Sequence, residues 1–165
     1  MTNDVTHELT DDDRTRFGVT GAWFHAQRRR VRWSEVDAFG HANNTAYLTW
    51  FEDARNSYME CAGLVLSGGT PGPVLAEVAV RYLKPLAYNA EILVTARTLA
   101  LRTTSFTMAY AAWDGGCAAR GSARCVLMIN ATGARVALPP ALRAVMAERD
   151  GARAEPSPPA LTQDV

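Results

Sequence analysis

Cysteine is scarce in this sequence, with three residues in 165, and so is any excess of one charge, with 17 Lys+Arg against 17 Asp+Glu. Cys61, Cys117 and Cys125 are odd in number and too widely spaced for a metal-ligand cluster. They read as reduced, packed thiols of a cytoplasmic protein rather than as a disulfide framework. The charge balance leaves no net field for a polyanion, which argues against a nucleic-acid partner. No apolar run approaches the roughly 18–20 residues that cross a bilayer. The first thirteen residues are polar and acidic, unlike a secretory signal. Also missing are a Walker loop, a GxGxxG turn and a spaced Ser-His-Asp set. What the chain does have is 48% hydrophobic and 21% charged residues, the composition of an ordinary globular domain.

Periodicity organises that domain. Residues 1–23 carry Asp11, Asp12 and Asp13 with little pattern and read as a flexible tail, with a short packed piece around Trp23 and Phe24. Residues 150–165, rich in proline, read as a second disordered tail. Between them lies one domain, 24–149. Val31 and Trp33 alternate with Arg30 and Arg32, which predicts a strand over 26–34. From Asn44 the period changes: Tyr47, Trp50, Phe51, Ala54, Tyr58 and Cys61 fall on one face of a helix. Asn43 or Asn44 caps its start and Gly63 its end. At 1.5 Å per residue it is roughly 30 Å long, enough to cross a small sheet. Four strands follow, 74–84, 91–101, 105–113 and 117–130, with short connections that imply antiparallel neighbours. Pro139 opens a last helix over 141–149. The economical arrangement is α+β: one curved antiparallel sheet wrapped around the long central helix.

The chemistry concentrates between the first strand and that helix. Asp37 leaves the strand, Gly40 permits a tight turn or a close substrate approach, and Asn44 opens the helix. A helix start offers free N–H groups and a positive dipole end, which polarise a carbonyl and hold an oxyanion. A carboxylate on the other side of that carbonyl completes an acyl-transfer site. The stretch Asp37-x-x-Gly40-His41-x-Asn43-Asn44-x-x-Tyr47, followed by Phe51-Glu52-x-Ala54-Arg55, resembles the signature of the 4-hydroxybenzoyl-CoA thioesterase branch of the hotdog-fold superfamily. It is also similar to the Asp/His-Val-Asn-Asn segment of acyl-ACP thioesterases.

That resemblance implies a hotdog fold and hydrolysis of an acyl-CoA or acyl-carrier-protein thioester. It implies Asp37 as nucleophile or general base, a carbonyl-polarising N–H at Asn44, and a catalytic contribution from His41. Phe39 departs from the acyl-ACP relatives, which carry asparagine there, so His41 is then a residue that orients the loop. Gly40, Asn43, Tyr47, Phe39 and Trp33 are the substrate-binding candidates. No metal or redox cofactor is required. The implied assembly is a homodimer with sites shared between subunits, extended to a dimer of dimers. A lone curved sheet supports this independently, because its edges and apolar faces need cover.

Each assignment has a plainer counterpart. Asp37 could merely cap a turn, His41 could bond backbone, and Asn43 and Asn44 could only cap the helix. Glu52 and Asp53, mid-helix, rival Asp37 as the acid, against an ion pair with Arg55. Glu77 interrupts an apolar strand and either lines the cleft or pairs with an arginine. Arg28, Arg30, Arg81, Lys84, Arg120 and Arg124 are candidates for coenzyme A phosphates. Trp33, Phe39, Trp50, Phe51 and Tyr82 are the aromatics available to an acyl pocket. Two other functions compete: a hotdog hydratase or dehydratase, which needs a paired His and carboxylate, and a non-catalytic acyl-CoA binding protein.

Overall fold

The apolar stripe that begins at Asn44 becomes helix α2 (Asn44–Cys61), and the rest of the molecule is arranged around it. The computed structural model describes residues 5–156. In chain order the other elements are β1 (Val5–Glu8), α1 (Asp11–Phe17), β2 (His25–Arg30), β3 (Pro71–Tyr82), β4 (Glu91–Leu101), β5 (Ser105–Trp113), β6 (Cys117–Ile129), β7 (Ala134–Arg135), α3 (Pro140–Asp150) and β8 (Arg153–Ala154). The strands form one sheet in the order β1-β2-β4-β5-β6-β3, with β7 added to β6 and β8 to β4. All pairings are antiparallel except β4 with β8. This is the α+β arrangement expected from the sequence, a curved sheet wrapped around a long helix.

The sheet has two differently used faces. On the inner face Ile92, Val94, Phe106, Met108 and Tyr110 pack against Trp50, Phe51, Ala54 and Tyr58 of α2. Phe51 stacks on Tyr110 with ring centroids 5.1 Å apart. The strand opposite must then come very close: a Cβ at Gly121 would lie 2.7 Å from the Phe51 ring, so only glycine leaves the ring its place. On the outer face a second cluster joins Leu93, Ala111 and Trp113 to Phe17 and Val19.

That second cluster corrects the reading of 1–23 as a flexible tail. Residues 5–8 pair with β2, and 11–17 form a helix closed by a capping box between Thr10 and Asp13. The acidic triplet is the first turn of this helix, where negative charge meets the positive dipole end. Burial pushes the Asp13 carboxyl up, but hydrogen bonds from Thr10, His7 and Arg28 outweigh it and bring it down to about 2. At the other end, 153–154 pair with β4, so the tail expectation fails there too. Residues 1–4 and 157–165 of those two expected tails lie outside the described residues.

Two strands also move their bounds. The first strand ends at Arg30 rather than 34, because Trp33–Glu35 forms a short 3-10 turn whose Glu35 carboxylate takes the Arg32 N–H at 2.8 Å. β3 starts at Pro71, before the expected 74, and ends at Tyr82. Its prolines are tolerated because β3 is an edge strand, where a missing N–H is not needed for pairing.

Candidate active site

The loop between the 3-10 turn and α2 folds back on itself. Asp37 N–H donates to the His41 carbonyl at 2.9 Å, and Gly40 N–H donates to the Asp37 carbonyl at 3.0 Å. Gly40 sits at φ +80°, the left-handed conformation that closes such a turn without strain. The Val36–Ala42 bridge closes the loop on itself, and the His41–Ala87 bridge ties it to the chain before β4. The Ala42 N–H adds a bond to the Leu86 carbonyl at 2.7 Å.

This framework orients the Asp37 carboxylate. Oδ1 accepts from the Phe39 N–H at 2.8 Å and, more weakly, from the His41 N–H at 3.4 Å. Oδ2 has no hydrogen-bond partner among the described residues. The carboxylate lines a cleft of about 320 Å³ with His41, Asn44, Tyr47, Tyr82, Lys84 and Pro85. One oxygen is therefore held by the loop and the other is unengaged among the described residues.

The facing wall is the start of α2. Asn43 is its N-cap, and the side-chain Oδ1 accepts from Thr45 N–H at 3.0 Å and from Thr45 Oγ1 at 2.9 Å. The Ala46 N–H goes to the Asn43 carbonyl at 2.9 Å. The N–H of Asn44 is thus the helix-start donor without a partner among the described residues. Tyr82 of β3 donates its hydroxyl to the Asn44 carbonyl at 3.2 Å and meets Tyr47 edge-on, with centroids 5.1 Å apart. Burial, then the Tyr82 hydroxyl, pushes the Tyr47 phenol up to about 12, so it stays a neutral donor at the cleft floor.

A buried polar post holds the turn and the helix together. Glu35 accepts from the Trp50 indole N–H at 2.9 Å and lies 3.5 Å from Arg29, which pairs with Asp53 at 3.0 Å. The Glu35 carbonyl also takes the Asn43 N–H at 2.7 Å. Sequence reasoning missed Glu35. Its spacing of three from Arg32, the capping-box spacing, was the available signal.

Asp37, His41, Asn44 and Tyr47 are brought together as the sequence suggests. Gly40 shapes the loop without lining the cleft, and Asn43 caps the helix. Trp33 and Phe39 are not brought in: at 76% and 86% exposed they face outward, Trp33 edge-on to Tyr88 at 5.6 Å. The period-two reading of Trp33 failed because the chain has already left the strand. The rival carboxylates are occupied elsewhere. Glu52 is exposed and pairs with Arg55 at 3.7 Å, Asp53 with Arg29, and Glu77 with Arg124 at 3.2 Å. Arg28 is held by Asp12 and Asp13, and Arg30 by Glu91. Lys84, at the cleft mouth, pairs with Asp114 at 3.3 Å.

The fold and the sequence both resemble those of known proteins. A thioesterase-superfamily protein from Jannaschia sp. CCS1 is 34% identical, covering 90% of this chain and 96% of its own, with a TM-score of 0.81. A thioesterase from Thermus thermophilus, solved with coenzyme A and zinc, is 31% identical over 75% of this chain and 93% of its own, TM-score 0.65. YsmA, an uncharacterized protein of Bacillus subtilis, is 31% identical over 80 residues, 48% of this chain, and the match spans about half of that relative's length (54%). Residues 31–146, from the turn before Asp37 to the last turns of α3, match the Thioesterase-like superfamily, and the chain belongs to that family.

Proposed function

We propose that this chain hydrolyses an acyl thioester of coenzyme A, or of a carrier protein's pantetheine, to a free acid and a free thiol. The observation that carries the reading is the Asp37 carboxylate, one oxygen held by the loop and one unengaged, lining the same cleft as the free N–H of Asn44. The thioester carbonyl oxygen lies against the Asn44 N–H, where the helix dipole favours developing negative charge. Asp37 Oδ2 then attacks the carbonyl carbon to give an anhydride, or removes a proton from a water that attacks it. On either route collapse of the tetrahedral intermediate breaks the C–S bond and releases the thiolate. On the first, water then opens the anhydride, freeing the acid and restoring the Asp37 carboxylate, and on both the proton given up by water ends on the thiolate. His41 serves the loop: its carbonyl and N–H both bond to Asp37, and it bridges to Ala87. Tyr47 and Tyr82 position the helix start, and Lys84 at the mouth suits a phosphate or pantetheine carbonyl. The Thermus relative, solved with coenzyme A, supports that class of substrate.

The same reading takes the chain as a homodimer, extended to a dimer of dimers. β3 is an edge of twelve residues that leaves Leu75, Val78 and Tyr82 exposed, and Trp33, Phe39, Leu83 and Tyr88 are also left open. An uncovered apolar edge of this length is covered by pairing with a second copy. Three free thiols, one of them buried, fit a reducing compartment and a cytoplasmic location. The test is thiol release from acyl-CoAs of varied length and aromaticity. Wild type should turn over, and Asp37→Asn should lose about 10²-fold or more in kcat with its fold intact. A mutant equal to wild type removes Asp37 from the mechanism. Silence across acyl-CoA and carrier-loaded substrates alike removes thioester hydrolysis.

A further inference from the structure

Three tyrosines are buried, Tyr47, Tyr58 and Tyr110, and two of them have engaged hydroxyls. Tyr58 donates to the Asp150 carboxylate at 2.5 Å and accepts from Thr98 Oγ1 at 3.1 Å, and Tyr110 accepts from Arg55 Nη1 at 3.4 Å. The Tyr47 hydroxyl has no hydrogen-bond partner among the described residues, although the residue is only 2% exposed. Nor is that oxygen sealed in: it keeps a small exposure, and Tyr47 lines the cleft with Asp37 and Asn44. A buried tyrosine hydroxyl ordinarily finds a partner, so one left open toward a cleft calls for an acceptor from outside the chain.

The position of the hydroxyl says which acceptor. Tyr47 follows Asn44 by three residues on α2, so the two share a helix face, with Cβ atoms about 5–6 Å apart. Helix side chains lean back over the turn before them, towards the N-terminus. The Tyr47 ring accordingly meets Tyr82 edge-on, and the Tyr82 hydroxyl is spent on the Asn44 carbonyl. The nearby Asn43 Oδ1 is also occupied, by the Thr45 N–H and hydroxyl. One wall of the cleft thus carries two donors without partners among the described residues, the Asn44 N–H and the Tyr47 hydroxyl, and Asp37 lines the same space. A lone hydroxyl suits any polar atom. Beside a helix-start N–H, in a cleft shared with a carboxylate, it suits an oxygen that gains negative charge. A carbonyl oxygen has two lone pairs, and the Asn44 N–H serves one of them.

We infer that the Tyr47 hydroxyl is a second donor to the thioester carbonyl oxygen, paired with the Asn44 N–H, which makes Tyr47 a catalytic residue. The inference rests on the thioesterase reading and deepens it by completing the oxyanion site. As Asp37 or its water adds to the carbonyl carbon, the π electrons of the carbonyl move onto oxygen and both hydrogen bonds strengthen. As the C–S bond breaks they return to the carbonyl. Tyr47 keeps its proton throughout. Burial, with Tyr82 beside it, pushes the phenol up to about 12, so the donor is intact at neutral pH.

The test is Tyr47→Phe, which removes the hydroxyl but no hydrogen bond within the described chain, so the melting temperature should hold or rise. Across acyl-CoAs of varied acyl group, kcat should fall about 10²-fold for every one, with KM close to wild type. A second measurement needs no turnover. It is the infrared carbonyl stretch of a bound acyl-CoA analogue in which a methylene replaces the thioester sulfur, a ketone that hydrolysis cannot cleave. That stretch should lie lower on wild type than on the variant. Wild-type kcat in the variant with an unmoved stretch would overturn the inference. A loss in KM alone, confined to acyl groups with a polar substituent, would also overturn it and give the hydroxyl to the acyl group. So would an unmoved stretch with the acid limb of kcat/KM displaced to higher pH, which places the hydroxyl on Asp37. If wild type cleaves no thioester but the stretch responds to Tyr47, hydrolysis fails and the carbonyl contact stands. An analogue that does not bind overturns both readings.

Discussion

At the scale of single residues, one half-buried and one buried group each carry a separate test. Asp37 is presented to a cleft with one oxygen unengaged, and its replacement by asparagine tests the chemistry alone. His25 is enclosed, its Nε2 2.8 Å from Ser57 Oγ and its ring edge-on to Tyr58. Burial, then the charges of Arg149 and His7, hold its imidazole down at about 4. An unfolded histidine titrates near 6.5. Between these values the unfolded chain binds more protons than the folded one. Stability should therefore be full above about pH 6.5, decline as pH falls towards 4, and level off below it. The decline attributable to this residue is on the order of 3 kcal/mol. Melting curves between pH 7.5 and 4.5 should show it, and His25→Gln should flatten the slope. An unchanged slope in that variant would mean the pH dependence arises elsewhere.

At the scale of elements, α2 does two jobs, closing the core and setting Asn44, its first residue, at the cleft wall. Asn43 links them, because its side chain caps the first turn by taking the Thr45 N–H beside Asn44. Asn43→Ala should cost about 1 kcal/mol of stability. It should also lower kcat more than it raises KM, since a frayed first turn misplaces a donor that matters most to the oxyanion. Asn43→Ser, an alternative cap, should recover both quantities. Urea unfolding and steady-state kinetics on the pair separate capping from substrate contact: failure of serine to rescue would give the asparagine side chain a direct role.

At the scale of the whole molecule, the sheet has a short edge and a long one. β1 ends the β2 side with four residues, while β3 ends the other side with twelve, paired to β6 along one edge and to no described strand along the other. Pairing of β3 with a second copy would join two sheets into one. A charge on its apolar side should oppose that. Val78→Glu, opposite Ala123 in the register, should shift sedimentation from dimer to monomer and reduce turnover along with it. A monomeric variant of full activity would show that each site is complete in one chain.

Much of this architecture was legible from local pattern. The 3.6-residue stripe from Asn44 to Cys61 reports burial on one face, which follows directly from side-chain type, and the short connections between 74 and 130 mark antiparallel neighbours. The Asp37–Tyr47 stretch was legible for the same local reason: turn, cap and helix start are neighbours in sequence. What the sequence by itself determined, then, was the helix, the antiparallel strands and the loop that carries the carboxylate. Only the tertiary structure decided that Asp11–Asp13 begin a packed helix, because the cover that Phe17 gives to Trp113 joins residues far apart in the chain. It alone decided that Trp33 and Phe39 turn away from the cleft, that Glu35 ties the turn to Trp50, and that Arg81 stands opposite Arg120 in the register. A side chain's direction at a strand end, and the partner opposite it, depend on chain reversals and register, and those are set by contacts that no local period records.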